Sequence, residues 1–405
     1  MMVVSVLVFT GLIMFIVLLL LYAKTHLVTS GNVRLGINHD ESLAKQVPAG
    51  GTLLERLSAL GIFLPSACGG GGTCALCKCQ VFEGGGDILP TETGHISRKE
   101  AKDNWRLSCQ VKVRQDMELG IPDEIFNIKK YTCTVKSNPN VASFIKELNL
   151  DLDNNEILHF KNGGYIQIDI PKYDDMPFKD FQIEDEYRSD WDKYNIWEYH
   201  GKNTEETYRA FSMANHPAEG NRIMLNVRIA TPPPKTDFPP GIASTYMFNL
   251  KKGDKVTVSG PFGEFFIKDT DREMVFIGGG AGMAPMRSHI FHLFYTEKTK
   301  RKATFFYGAR SKKEMFYDDE FKEIEKNNPN FKYKVALSEP KPEDNWDGPV
   351  GFIHQVVFDT YLKDHEEPDE IEYYLCGPPM MLRAIEKMLA DIGVEQEMIA
   401  FDEFG

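Results

Sequence analysis

Basic charge is in the minority and cysteine is scarce. Lys and Arg number 46 against 59 Asp and Glu, a net charge of −13 over 405 residues. That excludes a nucleic-acid or anionic-lipid partner held by bulk charge, although an acidic surface still suits a basic protein partner. The seven cysteines are odd in number and clustered, which excludes a full disulfide framework and reads as metal or redox chemistry in a reducing compartment. No fixed-period repeat is present. The first 23 residues carry no charged side chain; as a helix they would run about 34 Å, enough to cross a hydrocarbon core of about 30 Å. No basic segment precedes this apolar run and no A-x-A site follows it, which argues against a cleaved signal peptide. Residues 1–24 are therefore expected to form a single transmembrane helix. Lys24 at its end and His26 and Arg34 beyond it put the N-terminus outside and the rest of the chain on the cytoplasmic side.

What is present is enough for several domains. Hydrophobic residues make up 42% and aromatics 12%, sufficient for real cores, and the length suits two to four domains. Short alternating runs and one helical segment, "TLLERLSALGI", mark a first unit over 32–126. From 127 to 269 the chain reads as strands separated by turns, "KYTCTVKSN", "GGYIQIDI" and "DKVTVSGPFG" among them. From 270 to 405 apolar runs alternate with helical patterns, the signature of a parallel sheet. Residues 172–206 interrupt the β-rich unit with eleven acidic, five basic and eight aromatic residues. They read either as an ordered surface excursion with its own small core or as a docking surface for another protein.

Cys68, Cys74 and Cys77 are spaced C-x5-C-x2-C around four consecutive glycines, and Cys109 follows after 31 intervening residues. Four thiolates are the usual holder of a [2Fe–2S] cluster, and the glycines let backbone amides crowd toward its sulfurs. A structural zinc site and a redox dithiol are the competing readings. Cys79 is the spare thiol and the main rival for a ligand position.

"RAFSMAN" resembles the R-x-Y/F-S motif of ferredoxin–NADP reductase-like flavin barrels. Arg209 suits a flavin diphosphate, Phe211 can stack on the ring, and Ser212 can bond near N5. "GIASTY" reads as a loop opening a helix, with the N–H groups of Gly241, Ala243 and Ser244 offered to the diphosphate. "GPFGEFF" matches the barrel-closing turn. "MVFIGGGAGMAPMRS" is not a G-x-G-x-x-G fingerprint. It resembles the nucleotide loop of the same family through Gly280, Gly282, Ala284 and Pro285, and "LCGPPMM" adds Cys376 and Gly377 at a strand end. By that resemblance Cys376 sits near the reacting nicotinamide carbon, Phe404 covers the flavin and Glu403 is a nearby acid. Arg310 and Lys312 would suit the 2′-phosphate of NADPH. "MFYDDEF" is similar to NADH users, with Phe316 beside the adenine, and NADH is expected.

The whole order of parts resembles one family of the bacterial sodium-translocating NADH:quinone reductases, that of the F-type component. The fold this implies is multi-domain: a single transmembrane helix (1–24), an α+β ferredoxin-like β-grasp domain (32–126), a β-barrel FAD domain (127–269) and an α/β parallel-sheet NAD domain (270–405). The resemblance implies cluster ligands Cys68, Cys74, Cys77 and Cys109, a place in the bacterial inner membrane, and electron flow from NADH through FAD and [2Fe–2S]. The flow would continue into membrane subunits that reduce ubiquinone coupled to sodium transport. The alternatives are the reductase component of a multicomponent oxygenase and a non-catalytic, membrane-tethered iron–sulfur carrier.

Overall fold

Alternating inward and outward side chains build the first sheet of the computed structural model, which describes residues 9–19, 31–233 and 236–403. The chain divides into two units at Ile128/Lys129. Residues 9–19 are helical (α1). Among the described residues no helix is long and apolar enough to cross a membrane. The rest of the expected span, 1–8 and 20–24, lies outside them.

In the first unit β1 (Asn32–Ile37) turns through Asn38 and His39, both at positive φ, into antiparallel β2 (Asp40–Pro48). Helix α2 (Leu53–Ala59) begins with a capping box in which Thr52 and Glu55 exchange side-chain to backbone hydrogen bonds. It buries Leu53, Leu54 and Leu57. After β3 (Lys78–Glu83), α3 (Arg98–Lys102), β4 (Trp105–Leu107) and β5 (Met117–Gly120), the strand order is β2-β1-β5-β3-β4, with β1 and β5 parallel. The cysteine loop therefore runs between α2 and β3, and Cys109 follows shortly after β4.

The second unit opens with an antiparallel sheet. Its strands are β6 (Lys129–Ser137), β7 (Asn140–Ala142), β8 (Ile145–Leu152), β9 (Tyr165–Ile170), then the ribbon β10 (Tyr173–Pro177) and helix α4 (Asp185–Lys193). There follow β11 (His200–Asn203), β12 (Thr207–Ser212), β13 (Arg222–Arg228), helix α5 (Ile242–Asn249) and β14 (Lys255–Phe262). The order is β12-β9-β14-β6-β8-β13, and a bridge between Met213 and Leu225 joins the two outer strands. The 172–206 excursion has no core of its own. Phe178, Phe181 and Trp191 are buried in the barrel's core beside Phe248.

The remaining strands are β15 (Met274–Gly279), β16 (Ala303–Ala309), β17 (Phe331–Leu337), β18 (Glu372–Gly377) and β19 (Ile399–Glu403). Helices α6 (Met283–Phe291), α7 (Asp318–Asn327), α8 (Ile353–Thr360) and α9 (Pro379–Asp391) connect them. The sheet is parallel in the order β17-β16-β15-β18-β19. Chain order reverses between β15 and β18, and open sheets of this kind bind ligands in the crevice at the carboxyl ends of such strands.

Candidate functional site

In the first unit the local chain geometry aims polar groups at four sulfurs. Cys74 Sγ donates to Cys68 Sγ at 3.4 Å, and the Cys77 thiol donates to Cys109. The thiols thus come as two pairs, Cys68 with Cys74 and Cys77 with Cys109. Among the described residues, no group of three or more His, Cys, Asp or Glu converges to hold a single metal ion. Backbone N–H groups of Thr73 and Cys74 point at Cys68, that of Gly72 at Cys109, and Gln110 Nε2 lies 3.5 Å from Cys109 Sγ. Gly72 holds φ at +77°, and a Cβ there would stand 2.6 Å from Gln110 Nε2. Within each pair the shared hydrogen bond pulls the accepting thiol, Cys68 or Cys109, down and pushes the donating one, Cys74 or Cys77, up. These donors suit a cluster's anionic sulfurs, so the residues fit a [2Fe–2S] group.

Cys109 is placed by a buried ion pair three residues earlier. Arg106 binds the fully buried Glu92 carboxylate, with Nη2 at 2.6 Å from Oε2, and donates to the carbonyls of Gly85, Gly86 and Asp87. Glu92 also accepts the Leu107 N–H at 2.9 Å. Together these ties fix the approach to Ser108 and Cys109.

Cys79 lies on β3 opposite Arg106 and is fully buried, with Arg106 and Glu92 as its charged neighbours. Burial pushes its thiol up to about 12. Cys79→Ser should leave the cluster's visible spectrum unchanged, while burying a hydroxyl should cost about 1–3 kcal/mol of stability. Urea unfolding followed at the cluster absorbance checks both, and a bleached variant would make Cys79 a ligand.

In the second unit β12 carries Arg209, Phe211 and Ser212. Arg209 Nη1 donates to Thr207 Oγ1 and the Tyr208 carbonyl, at 2.9 and 2.8 Å, and Phe211 packs half-buried on the barrel core. Helix α5 starts at Gly241, but Gly241 does not offer its amide as expected. It donates to the Ala230 carbonyl at 2.8 Å. The amides of Ile242, Ala243 and Ser244 form the first turn. The Ser244 hydroxyl accepts from Ala230 N–H and donates to the Gly241 carbonyl, which pins the loop to the helix.

The nucleotide loop meets β18 closely. A Cβ on Gly282 would stand 2.2 Å from the Cys376 carbonyl oxygen, so only glycine lets the two segments touch. Gly280 has φ +57°, and Gly377 ends β18. Ala284 packs on Ala214 and Met224, and Pro285 is buried with it in α6. Sequence reasoning missed Arg287, which ties α6 to the segment after the flavin motif. It donates to the Ala214 carbonyl and forms ion pairs with Glu219 and Glu320.

Ser212 and Cys376 are brought together by Asp402. The Ser212 hydroxyl donates to Asp402 Oδ2 at 2.6 Å, and parallel pairing of β19 with β18 sets Asp402 opposite Cys376. Burial pushes the Asp402 carboxyl above its ordinary range despite the Ser212 bond, and burial with Asp402 nearby pushes the Cys376 thiol up. Asp402 is the acid two positions before Phe404 in the terminal "FDEFG". That position is the one signal the sequence offered. Phe404 and the side chain of Glu403 lie outside the described residues.

On the nucleotide side, Arg310 lies over the Phe144 ring at 5.3 Å and pairs with Glu314 at 3.6 Å. The Lys312 amide donates to Asp344. Phe316, expected beside an adenine, is buried against Tyr307 and Tyr317.

A ferredoxin-type loop with three thiols and a fourth after β4, a flavin-type barrel and a parallel nucleotide sheet in one chain define an iron–sulfur flavoprotein reductase. Residues 37–114 match the 2Fe-2S iron-sulfur cluster binding domain, 193–267 the oxidoreductase FAD-binding domain and 276–387 the oxidoreductase NAD-binding domain. The fold is similar to the Amycolatopsis cytochrome P450 reductase, with TM-score 0.63 and 23% identity over 92% of this chain and 98% of that one. It is also similar to the ferredoxin reductase in carbazole 1,9a-dioxygenase, with TM-score 0.60 and 24% identity over 93% and 99%. The F-type component of the Na(+)-translocating NADH-quinone reductase of Pseudomonas aeruginosa is 56% identical over 98% of this chain and 97% of its own. That of Actinobacillus succinogenes is 56% identical over the same shares. The chain belongs to this family, the F-type components of the Na(+)-translocating NADH-quinone reductases.

Proposed function

We propose that the chain is the electron-input component of a sodium-translocating NADH:quinone reductase. It takes hydride from NADH at the crevice between β15 and β18 and passes single electrons from the four-thiol site to partner subunits in the membrane. Residues 1–24 serve as its anchor in the bacterial inner membrane, with residues 32–126, 127–269 and 270–405 as its cytoplasmic domains. The observation that carries this reading is the meeting of Ser212, Asp402 and Cys376 in the same chain as two pairs of thiols. When bound, FAD supplies conversion of a two-electron hydride into single electrons, and [2Fe–2S] supplies a one-electron acceptor.

The chain's own groups bind and orient. Arg209 and the first turn of α5 present positive charge and N–H groups to a diphosphate. The Gly280 loop, with Gly282 against Cys376, leads a dinucleotide to the switch point. Ser212 keeps its proton directed at Asp402, so its oxygen presents lone pairs to whatever occupies the crevice. Cys68, Cys74, Cys77 and Cys109 hold the cluster.

The test is the visible spectrum of the full chain in detergent, without oxygen. NADH should bleach both the flavin and cluster bands, and NADPH should act far more slowly because Arg310 is already engaged by Glu314 and Phe144. Equal rates with NADPH would remove NADH as the specific donor, and a bleached flavin with an unreduced cluster would break the proposed electron path.

A further inference from the structure

The acidic and aromatic 172–206 excursion reaches the nucleotide sheet as well as the barrel. On its helix α4, Asp190 Oδ2 accepts from Lys313 Nζ at 2.7 Å and from the Ser143 hydroxyl at 3.0 Å. Ser143 lies in the turn between β7 and β8 of the barrel. Lys341 Nζ stands 4.0 Å from Asp190 Oδ1. One carboxylate thus joins the barrel to the loops that leave β16 and β17. Both partners of the Asp190–Lys313 pair are largely shielded, with side-chain exposures of 13% and 22%, so screening by salt is limited.

Neighbouring contacts converge on the same turn. Lys313 also lies 5.6 Å over the Tyr187 ring of α4, and Arg310 5.3 Å over Phe144 of the barrel hairpin. Trp191, on α4 beside Asp190, is fully buried and donates to the Ser143 carbonyl at 2.7 Å. The buried Lys146 donates to the carbonyl of Gln182, just before α4, and to that of Asn138 in the barrel. The helix that carries Asp190 is therefore rigidly seated. The turn it grips, Lys312–Glu314, follows the second strand of the parallel sheet. In sheets wound this way that loop meets the adenosine ribose of a dinucleotide.

We propose that the 172–206 excursion braces the nucleotide site: Asp190, through Lys313, positions the Lys312–Glu314 turn and so sets the affinity for the adenosine half of NADH. Asp190 and Lys313 are positioning residues and touch no reacting atom. The inference rests on the NADH-oxidising reading of the same site.

The test is stopped-flow bleaching of the flavin in the full-length protein over a range of NADH concentrations. Asp190→Asn and Lys313→Met should each raise the apparent dissociation constant for NADH about fivefold, the worth of one partly shielded ion pair. The rate at saturating NADH should stay near wild type, and Lys313→Arg should restore the affinity. The double variant should be no worse than either single one, because both remove the same contact. If Lys313 instead touched NADH directly, Asp190→Asn would free its charge and tighten binding. That result, additive effects, or unchanged affinity would overturn the brace. Should Asp190→Asn not fold, Ser143→Ala removes the hydroxyl that holds the same carboxylate and should weaken NADH in the same direction; unchanged affinity there counts against the brace equally. Failure of NADH to bleach the unmodified protein would sink the underlying reading instead, and it appears before any substitution is made.

Discussion

Cys109→Ala is expected to split the activity in two. NADH should still bleach the flavin and drive ferricyanide reduction near the wild-type rate, while quinone reduction by the assembled complex falls to background. The drop should exceed the about 100-fold that losing even an outer-shell partner costs a metal site. The reason lies in the pairing. Cys109 shares its hydrogen bond with Cys77 and receives N–H donors from Gly72 and Gln110, so alanine removes one of the four proposed ligands and the partner of Cys77. Cys109 also stands apart from the other three, held in place by Arg106 and Glu92. The loop from Cys68 to Cys77 need not unfold when it is lost. Iron and acid-labile sulfide should each fall from about two per chain toward zero. Retention of both, with quinone reduction intact, would show that Cys109 is not a ligand.

The cluster site was legible because its signal is local. Three thiols on one glycine-rich loop suggest a cage before any tertiary contact is known, and Cys109, read as the fourth from its place after "RLS", is the one that pairs with Cys77. The nucleotide loop was legible for the same reason: glycine turns between a strand and a helix carry their own geometry. What the sequence hid depends on pairing across long separations. Asp402 meets Ser212 across 190 positions, and only the parallel register of β19 on β18 turns it, rather than an adjacent acid, toward Cys376. The spent amide of Gly241 follows from the carbonyl of Ala230, earlier in the loop, which loop composition does not announce. The similarity of "MFYDDEF" to NADH users puts Phe316 beside an adenine, and that similarity could not announce its packing against Tyr307 and Tyr317. The composition of 172–206 announced burial of its aromatics. It could not say that they complete the barrel's core, nor that Asp190 reaches across to Lys313.

Asp402→Asn is expected to slow the chemistry and stabilise the fold at once. The Ser212 proton points at Asp402 Oδ2, so the carboxylate fixes the hydroxyl rotor. Asparagine can offer an N–H in its place and turn that rotor around. Flavin bleaching at saturating NADH should slow on the order of 100-fold, the size of one positioned proton-handling group, while the affinity for NADH stays unchanged. Stability should move the other way. Burial raises the Asp402 carboxyl above its ordinary value in the folded protein, so the unfolded chain ionises first as pH rises. The carboxyl's favourable contribution is full below the unfolded value and is lost as pH climbs through the folded one. Above that range the ionised form of this half-buried carboxyl is the costlier one in the folded protein. Asparagine removes that cost, and its melting temperature should exceed the wild type's at neutral pH, with the gap closing as pH falls toward the ordinary carboxyl range. A variant that bleaches at the wild-type rate would reduce Asp402 to a clasp between β19 and the barrel. One that melts lower at neutral pH would mean that the Ser212 bond outweighs burial.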